Sequence, residues 1–173
     1  QTDARKTIYG HILTLMHSIH LGPRNIFLVT VGPTTNNEQG LLGGDAPLSK
    51  SGEERARRLA QFLSEQDEAE APLIMCGTLK RHLQTEKIIQ RTTRASRKTE
   101  ARSVTLRLQR MNDMCLGAFD SLTAEEMEAK FPGECATRRA DPFNYRYPGE
   151  GGESYQDLVA RCYEHILRLE QLR

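Results

Sequence analysis

Short apolar segments of the chain have the length and the residue types of buried strands. Asn25–Val29 and Leu73–Cys76 are mostly apolar runs, and Val104–Leu108 alternates between apolar and polar residues. Both patterns predict strands, because a continuous run suits a strand buried on two faces and alternation suits a strand buried on one. Gly10–Leu15 predicts a short edge strand or an extended linker.

Apolar residues recur at helical spacing in two segments. The first helix is predicted to begin at Ser51, a hydroxyl N-cap that is followed three residues later by Glu54. Its buried face is predicted to contain Ala56, Leu59, Ala60 and Leu63. The second helix is predicted from about Leu79 to Arg91, after the strand Leu73–Cys76.

Capping residues mark two further helix starts. The segment Leu122–Met127 contains a capping box with a hydrophobic staple between its two ends, and Pro132 with Gly133 is predicted to stop this helix. The last helix is predicted to begin at Ser154, with Asp157 completing the cap. Its buried stripe is predicted to contain Tyr155, Leu158, Val159, Cys162, Ile166 and Leu169.

The order of these segments predicts the fold class. Strands that alternate with helices predict an α/β fold of three layers, in which helices cover both faces of a mostly parallel sheet. A length of 173 residues with 38% hydrophobic content allows one core. Because the order ends on a helix, we expect a C-terminally incomplete domain at 24–173, preceded at 1–23 by a linker or edge strand from another domain.

Composition narrows the classes of partner. The net charge of +1 gives no overall field for nucleic acid or for a membrane surface. Arg91–Arg102 is basic, and a solvated loop is favoured there over an anionic-surface patch. The four cysteines form no CxxC pair, which favours free thiols over a metal site. Without a signal peptide or a long apolar run, the cytosol is the simplest location.

Several motifs occur in the order found in a known family. They are His17–Leu28, Gly43–Asp45, Leu79–Arg81, Gln84–Glu86, Tyr145–Pro148 and Gly151–Leu158. Together they resemble the bisphosphatase half of 6-phosphofructo-2-kinase/fructose-2,6-bisphosphatase, in the histidine phosphatase superfamily with its phosphoglycerate mutase-like fold. The resemblance runs from about residue 10 to the end of the chain, and Tyr145–Leu158 is its most specific part.

The resemblance places a degenerate motif where the family has its nucleophile. There a strand leads into Arg-His-Gly-Glu, whose histidine takes the phosphoryl group. When the chains are aligned on Gly32, this chain has Thr30 in place of the arginine, Val31 in place of the histidine and Pro33 in place of the glutamate. Valine has no lone pair, so we expect no phosphoenzyme and impaired catalysis. Loss of a nucleophile typically reduces the rate by about 10³ to 10⁶.

Other positions match residues that the family uses to hold its substrate. The resemblance implies substrate binding by Asn37, Gly43, Arg81, Arg138 and Tyr155. Asp113 falls where the family places its general acid. His82 follows Arg81, but neighbours on a helix point about 100° apart, so a solvent-facing or packing role is the better interpretation of His82.

Three departures concern the part of the pocket for the distal phosphate. Ala124 stands where the family has a tyrosine and Pro142 where it has a lysine. Gly149 and Glu150 are an apparent insertion beside Gly151 and Gly152, in a loop that opens a helix N-terminus where an anion is favoured. The resemblance therefore implies weakened binding of a sugar phosphate such as fructose 2,6-bisphosphate.

The resemblance also implies partners and cofactors. A covalently linked kinase domain is expected, and ATP and Mg²⁺ would bind only there, so no cofactor or metal is expected in this segment. Association with a second copy stays open. No nucleic acid or membrane partner is expected.

Three functions are consistent with the sequence. The favoured one is a disarmed phosphatase that is kept as a regulatory or ligand-binding module. The second is an active hydrolase in which Asp113 protonates the leaving group and a base beyond Arg173 activates water. The third is a structural interaction domain that uses Arg91–Arg102 as its contact surface. A nucleotide-binding fold is disfavoured, because neither GxxxxGK[ST] nor a GxGxxG after a predicted strand occurs.

Overall fold

The computed structural model of the chain describes residues 9–10, 12–13, 16, 25–66, 72–96 and 103–171. The chain divides into two units, Thr30–Leu158 and the residues that flank it on both sides. In chain order the regular elements are α1 (Thr35–Glu38), α2 (Lys50–Ser64), β1 (Leu73–Cys76), α3 (Lys80–Ser96), β2 (Val104–Arg107), α4 (Ala124–Lys130), α5 (Pro132–Ala140) and α6 (Tyr155–Gln171).

Strands β1 and β2 form a parallel pair. Leu73 lies opposite Val104 and Cys76 lies opposite Arg107. Parallel pairing requires a crossover, which α3 provides by running between the two strands and packing on β1. The predictions of strands at these two places are confirmed. In the described part of the chain the sheet has these two strands, fewer than the sequence pattern predicted.

Helix α2 packs against α3 through small residues. Ala56 and Ala60 are buried, while Leu59 and Leu63 beside them are half-buried, so the predicted apolar face is confirmed. The predicted N-cap was wrong. The helix begins two residues earlier, because the Ser49 hydroxyl accepts the Gly52 backbone N–H at 3.2 Å.

Helix α3 continues to Ser96, beyond its predicted end at Arg91. The prediction of a solvated loop from Arg91 was therefore wrong for 91–96, and residues 97–102 lie outside the described residues. Thr93 lies in the added part of the helix, where it is buried and its hydroxyl donates to the Ile89 carbonyl oxygen at 2.9 Å. In addition, Gln90 Nε2 donates to Thr105 Oγ1 of β2 at 2.7 Å.

The predicted capping box of α4 is confirmed. The Thr123 hydroxyl accepts the Glu126 backbone N–H at 3.1 Å, and Glu126 accepts the Thr123 N–H at 3.0 Å. Pro132, which was predicted only as a stop signal, also begins α5. Its missing N–H and fixed φ suit the first turn of a helix.

An aromatic cluster forms the core around these two short helices. Its buried members are Phe119, Met127, Cys135, Tyr145 and Tyr147. The Phe119 ring is fully buried and lies edge-on to the Tyr147 ring, with 5.5 Å between their centroids. The specific motif at 145–148 therefore builds the core as well as resembling a family.

Helix α6 begins as predicted but is less buried than predicted. Ser154 and Asp157 exchange the bonds of a cap, Ser154 N–H to Asp157 Oδ2 at 2.7 Å and Asp157 N–H to Ser154 Oγ at 3.3 Å. In the predicted stripe Tyr155, Val159 and Cys162 are exposed, Leu158 and Leu169 are half-buried, and the Ile166 side chain lies outside the described set. The spacing identifies residues that share a helix face, but it does not specify an element to cover that face.

The strand predictions for the N-terminal flank were wrong at the described residues. Residues 25–29 form no strand, and Leu28 is 93% exposed. An apolar run becomes a buried strand only when a neighbour supplies ladder hydrogen bonds. The described residues at 9–10, 12–13 and 16 are helical, so the predicted edge strand was wrong at these positions, while the linker at 1–23 stays a prediction. A helix needs no partner strand, because its hydrogen bonds are internal.

Candidate functional site

The degenerate motif lies against the start of α2. Pro33 O accepts the Ser49 backbone N–H at 3.0 Å, which ties the motif to the N-cap residue. Gly32 is buried, and a Cβ at this position would lie 2.5 Å from the Gly52 carbonyl oxygen. Val31 is half-buried beside it, and Thr30 is exposed. This close backbone contact fixes the position of Val31, whose side chain offers no donor, acceptor or nucleophile.

The side-chain oxygen of Asn37 takes part in the cap of a short helix. Its Oδ1 accepts the Thr34 backbone N–H and the Thr34 hydroxyl, both at 2.9 Å, in the capping box of α1. Nδ2 has no partner among the described residues, and the side chain is exposed. The amide nitrogen is thus the end of Asn37 that can contact a ligand.

A glycine turn connects this region with Arg81. Gly43 and Gly44 have φ of 56° and 72°, values that suit glycine. The Gly44 N–H donates to Asp120 Oδ1 at 2.9 Å, and the Gly44 carbonyl oxygen accepts Arg81 Nη1 at 2.7 Å. A Cβ at Gly43 would lie 2.0 Å from Asp120 Oδ1. Gly43 therefore permits the close approach of Asp120, which holds the turn that supports Arg81.

Arg81 and Asp113, both predicted as site residues, form the ion pair at the centre of the site. Arg81 Nε and Nη2 lie 2.7 and 2.6 Å from Asp113 Oδ2. The Arg81 side chain is 8% exposed and that of Asp113 is 55% exposed. Asp45 caps the helix that carries the arginine, because its Oδ1 accepts the Lys80 N–H at 2.7 Å. The Arg81 guanidinium is consequently buried and held by protein groups, whereas the Asp113 carboxylate faces solvent.

His82 also lies beside Asp113, which the sequence prediction missed. The ring is buried, with Nε2 3.6 Å from Asp113 Oδ2 and with no hydrogen-bond partner for Nδ1 among the described residues. It packs on Gly77, where a Cβ would lie 2.2 Å from Nδ1. At the first turn of a helix, adjacent residues can reach one group that lies over the helix end. The adjacency of Arg81 and His82 at this helix start was the sequence signal for the pair.

These neighbours keep Asp113 ionised. The pKa of Asp113 is lowered from 3.8 to about 2; interaction with His82 is the largest cause, and the hydrogen bonds and charge of Arg81 act in the same direction against the effect of burial. Because 3.6 Å exceeds the length of a direct hydrogen bond, Arg81 provides the direct bonds to the carboxylate. At neutral pH Asp113 is an acceptor, and protonation of a leaving group would first require a proton.

Arg138 and Tyr155, predicted for the distal phosphate, lie in aromatic surroundings. The Arg138 guanidinium carbon is 5.7 Å from the centroid of the Tyr147 ring, a cation–π contact. The Tyr155 ring stacks on Phe143 with 6.5 Å between centroids and 5° between planes. Among the described residues, no hydrogen bond or ion pair joins either side chain to Arg81. Direct contacts therefore join Arg81 to Asp113 and to the glycine turn, and the placing of Arg138 and Tyr155 around the same ligand stays a prediction.

Carboxylates of the chain itself accept backbone N–H groups near the glycine loop at 149–152, which precedes α6. Asp157 accepts the Ser154 N–H as described, and Glu153 Oε2 accepts the Cys115 N–H at 3.0 Å. Gly149 and Gly151 have φ of 93° and 73°. Because Asp157 provides negative charge at the helix start, the expectation of an anion site at this N-terminus gains no support from the geometry.

The described residues contain neither a metal site nor a membrane-spanning helix. No group of three or more His, Cys, Asp and Glu side chains in the described ranges has an arrangement that could hold a metal ion. Within the same ranges, no helix combines the length and the apolar character needed to cross a bilayer.

Comparison with known families decides the relationship. The sequence profile of the histidine phosphatase superfamily, branch 1, matches residues 26–173. The chain belongs to the histidine phosphatase superfamily. It is 34% identical over 165 residues to rat 6-phosphofructo-2-kinase/fructose-2,6-bisphosphatase 4, a match that covers 95% of this chain and 32% of the relative. The chain thus spans about a third of the length of the curated relatives that it matches, and the resemblance to their bisphosphatase region is confirmed.

Solved structures support the family fold. The alpha-ribazole phosphatase of Shigella flexneri superposes with a TM-score of 0.64 at 22% identity, covering 81% of this chain and 64% of that one. A mycobacterial glucosyl-3-phosphoglycerate phosphatase with bound VO3 superposes with a TM-score of 0.63 at 26% identity, covering 80% and 61%. The predicted phosphoglycerate mutase-like α/β fold is confirmed.

Proposed function

We propose that this chain is a disarmed histidine phosphatase domain that binds a sugar phosphate, such as fructose 2,6-bisphosphate, weakly and serves a regulatory role in the cytosol. The observation that carries the proposal is Val31, at the position where family members keep the nucleophilic histidine. An aliphatic side chain cannot attack phosphorus, and the loss of a nucleophile typically reduces turnover by about 10³ to 10⁶.

Arg81 supports retained binding in this proposal. Its guanidinium is buried and oriented by the Gly44 carbonyl oxygen, and its planar fork matches the oxygens of phosphate. Arg138 is a second cation, and among the described residues it has no carboxylate partner. Asn37 can add its amide nitrogen. A regulatory setting is supported by the relatives, whose names combine a kinase and a bisphosphatase; in the proposal a linked kinase region works beside this domain.

Binding and turnover measured side by side test the proposal. We expect fructose 2,6-bisphosphate to bind in isothermal titration calorimetry, an Arg81→Gln variant to lose most of that binding, and phosphate release to stay at background. Arg57→Gln is a matched control on the surface of α2, since it removes a guanidinium that pairs with a glutamate elsewhere. Phosphate release above background that disappears in Asp113→Ala would instead support an active phosphatase.

The active phosphatase is the second candidate because Asp113 faces solvent, where a leaving group could approach. In that alternative Asp113 protonates the sugar oxygen while another base activates water. The low pKa of Asp113 opposes its role as an acid unless the substrate displaces Arg81 from the carboxylate. A structural domain without a ligand is the third reading, and a thermal stability that does not change across millimolar sugar phosphates would favour it.

A further inference from the structure

We propose that Asp113 is a built-in competitor for the anion site at Arg81, so that an incoming phosphate must displace this carboxylate before it can bind the guanidinium. The proposal rests on the proposed anion-binding function and adds a means of regulating it. Nothing in the family relationship assigns Asp113 this role.

The geometry of the carboxylate is that of a bound ligand. Three nitrogen atoms, Arg81 Nε, Arg81 Nη2 and His82 Nε2, converge on the single oxygen Oδ2 at 2.7, 2.6 and 3.6 Å. Oδ1 has no partner within the described ranges. A phosphate oxygen would receive the same two donors from Arg81, because the guanidinium fork suits phosphate and carboxylate alike.

Arg81 and His82 are buried, whereas Asp113 is exposed, as is required of a carboxylate that has to leave the site when phosphate binds. Arg81 and His82 are buried and held by the Gly44 carbonyl oxygen and by packing on Gly77. Asp113 is more than half exposed. Arg81 and His82 therefore stay in place, whereas the carboxylate can turn into water, where its own charge is solvated. The site is preformed, and its internal ligand is the part free to leave.

The buried histidine distinguishes this site from a surface ion pair. An isolated Arg–Asp ion pair at a protein surface contributes little to stability and has no buried histidine beside it. Here the imidazole is more than nine-tenths buried, its Nδ1 has no partner in the part of the chain that the structure describes, and its other nitrogen faces the same carboxylate oxygen. Arg81 and His82 thus form a two-residue anion site, and Asp113 occupies it from within the chain.

A competitor lowers the apparent affinity by the fraction of time in which the site is open. If Asp113 occupies the site for about nine-tenths of the time, its removal should raise the affinity for phosphate about tenfold, or about 1.4 kcal/mol. The Asp113→Asn variant keeps the side-chain shape and removes the charge. Asp113→Ala is the second variant, because asparagine can still accept a bond from Arg81.

The experiment measures the binding of inorganic phosphate by calorimetry to the parent chain, to Asp113→Asn, to Asp113→Ala and to Asp113→Asn/Arg81→Gln. The control is Glu53→Gln, which removes the same charge and breaks a 2.7 Å bond to Arg57 on an exposed helix face. Circular dichroism and thermal unfolding establish that each variant is folded. We expect about tenfold tighter binding in the two single Asp113 variants, no gain in the control, and loss of the gain in the double variant.

Each result decides between the claims. If the parent chain binds phosphate and neither Asp113 variant binds more tightly, the competitor is refuted while the proposed function stands. If only the Asp113 variants bind phosphate, the competitor role of Asp113 is supported. The proposal that the parent chain itself binds a phosphate is then refuted. If no variant binds, both fail. Should the Asp113 variants not fold, the ¹³Cγ resonance of Asp113 is followed while the parent chain is titrated with inorganic phosphate. The proposal predicts that this resonance shifts as phosphate binds, and a constant resonance overturns it.

Discussion

Gly32→Ala is the substitution that tests most sharply how the degenerate motif is held. A Cβ at Gly32 would lie 2.5 Å from the Gly52 carbonyl oxygen, 2.6 Å from its Cα and 2.9 Å from its carbonyl carbon. All three are backbone atoms of α2, so no side-chain rotation can relieve the overlap. The reciprocal contact is as tight, since a Cβ at Gly52 would lie 2.1 Å from Pro33 O. The motif or the helix must move.

The expected cost follows from this geometry. Overpacking in a well-packed region typically costs about 1 to 3 kcal/mol, and a clash with backbone alone belongs at the upper end. For a chain of this size each kcal/mol lowers Tm by about 2 to 4 °C, so Gly32→Ala should lower Tm by about 6 to 12 °C. Differential scanning calorimetry measures the shift.

A matched glycine in the same chain provides the control. Gly133 lies in α5, and a Cβ there would meet no atom within 4 Å. Alanine in a helix is favoured over glycine by about 0.5 to 1 kcal/mol, so Gly133→Ala should leave Tm unchanged or raise it slightly. A Gly32→Ala protein whose Tm lies within about 2 °C of the Gly133→Ala protein would refute the claim that close backbone contact positions Val31.

Further predictions concern a buried pair, a titration and a cap. Arg107→Ala should destabilise the fold by about 1 to 3 kcal/mol in urea unfolding, because Glu86 is 1% exposed and would lose its charged partner; no change would contradict this. Because the folded pKa of Asp113 is depressed from 3.8 to about 2, its stabilisation is present above pH 4 and lost between pH 4 and pH 2. With a discount for exposure, wild-type stability should fall by about 1 kcal/mol relative to Asp113→Asn over that interval, and parallel curves would contradict the pairing. Thr123→Ala should cost about 1 kcal/mol by removing the cap of α4, and Glu126→Gln, which keeps an acceptor for the Thr123 N–H, should cost less.

Local patterns predicted the elements whose interactions are local. The capping box at Thr123 and the cap at Ser154 depend on residues within one turn, and both were predicted correctly. At the start of α2 two serines compete for the cap, and Ser49 replaces the predicted Ser51 because its hydroxyl reaches the Gly52 N–H. Sequence spacing alone does not decide between such neighbours.

Elements that depend on distant partners were predicted less well. The apolar run at 25–29 has the composition of a buried strand, but composition does not supply the neighbouring strand that burial requires. The stripe of α6 likewise defines a face without defining what covers it. Pro132 was ambiguous for a different reason, since proline both ends a helix and suits the first turn of the next.

The candidate site was predicted through the resemblance more than through local patterns. Arg81 and Asp113 are 32 residues apart, and only the family motifs connected them before the structure did. His82 was set aside by the helical-angle argument, which gives the direction in which a side chain leaves the helix but not the position of a group such as Asp113 that two neighbouring side chains both reach. The capping role of Asn37 was missed because Asn37 lies in a helix of four residues, which is too short to predict from periodicity.

The measurement that bears most directly on the central claim is phosphoryl transfer to the chain itself. The chain is incubated with fructose 2,6-bisphosphate that carries ³²P at position 2, then denatured and divided between acid and alkali. A histidine phosphatase that uses an imidazole nucleophile yields label that survives alkali and is lost in acid. With Val31 at the nucleophile position, this chain is expected to carry no such label, whereas alkali-stable, acid-labile ³²P on the chain would contradict the account.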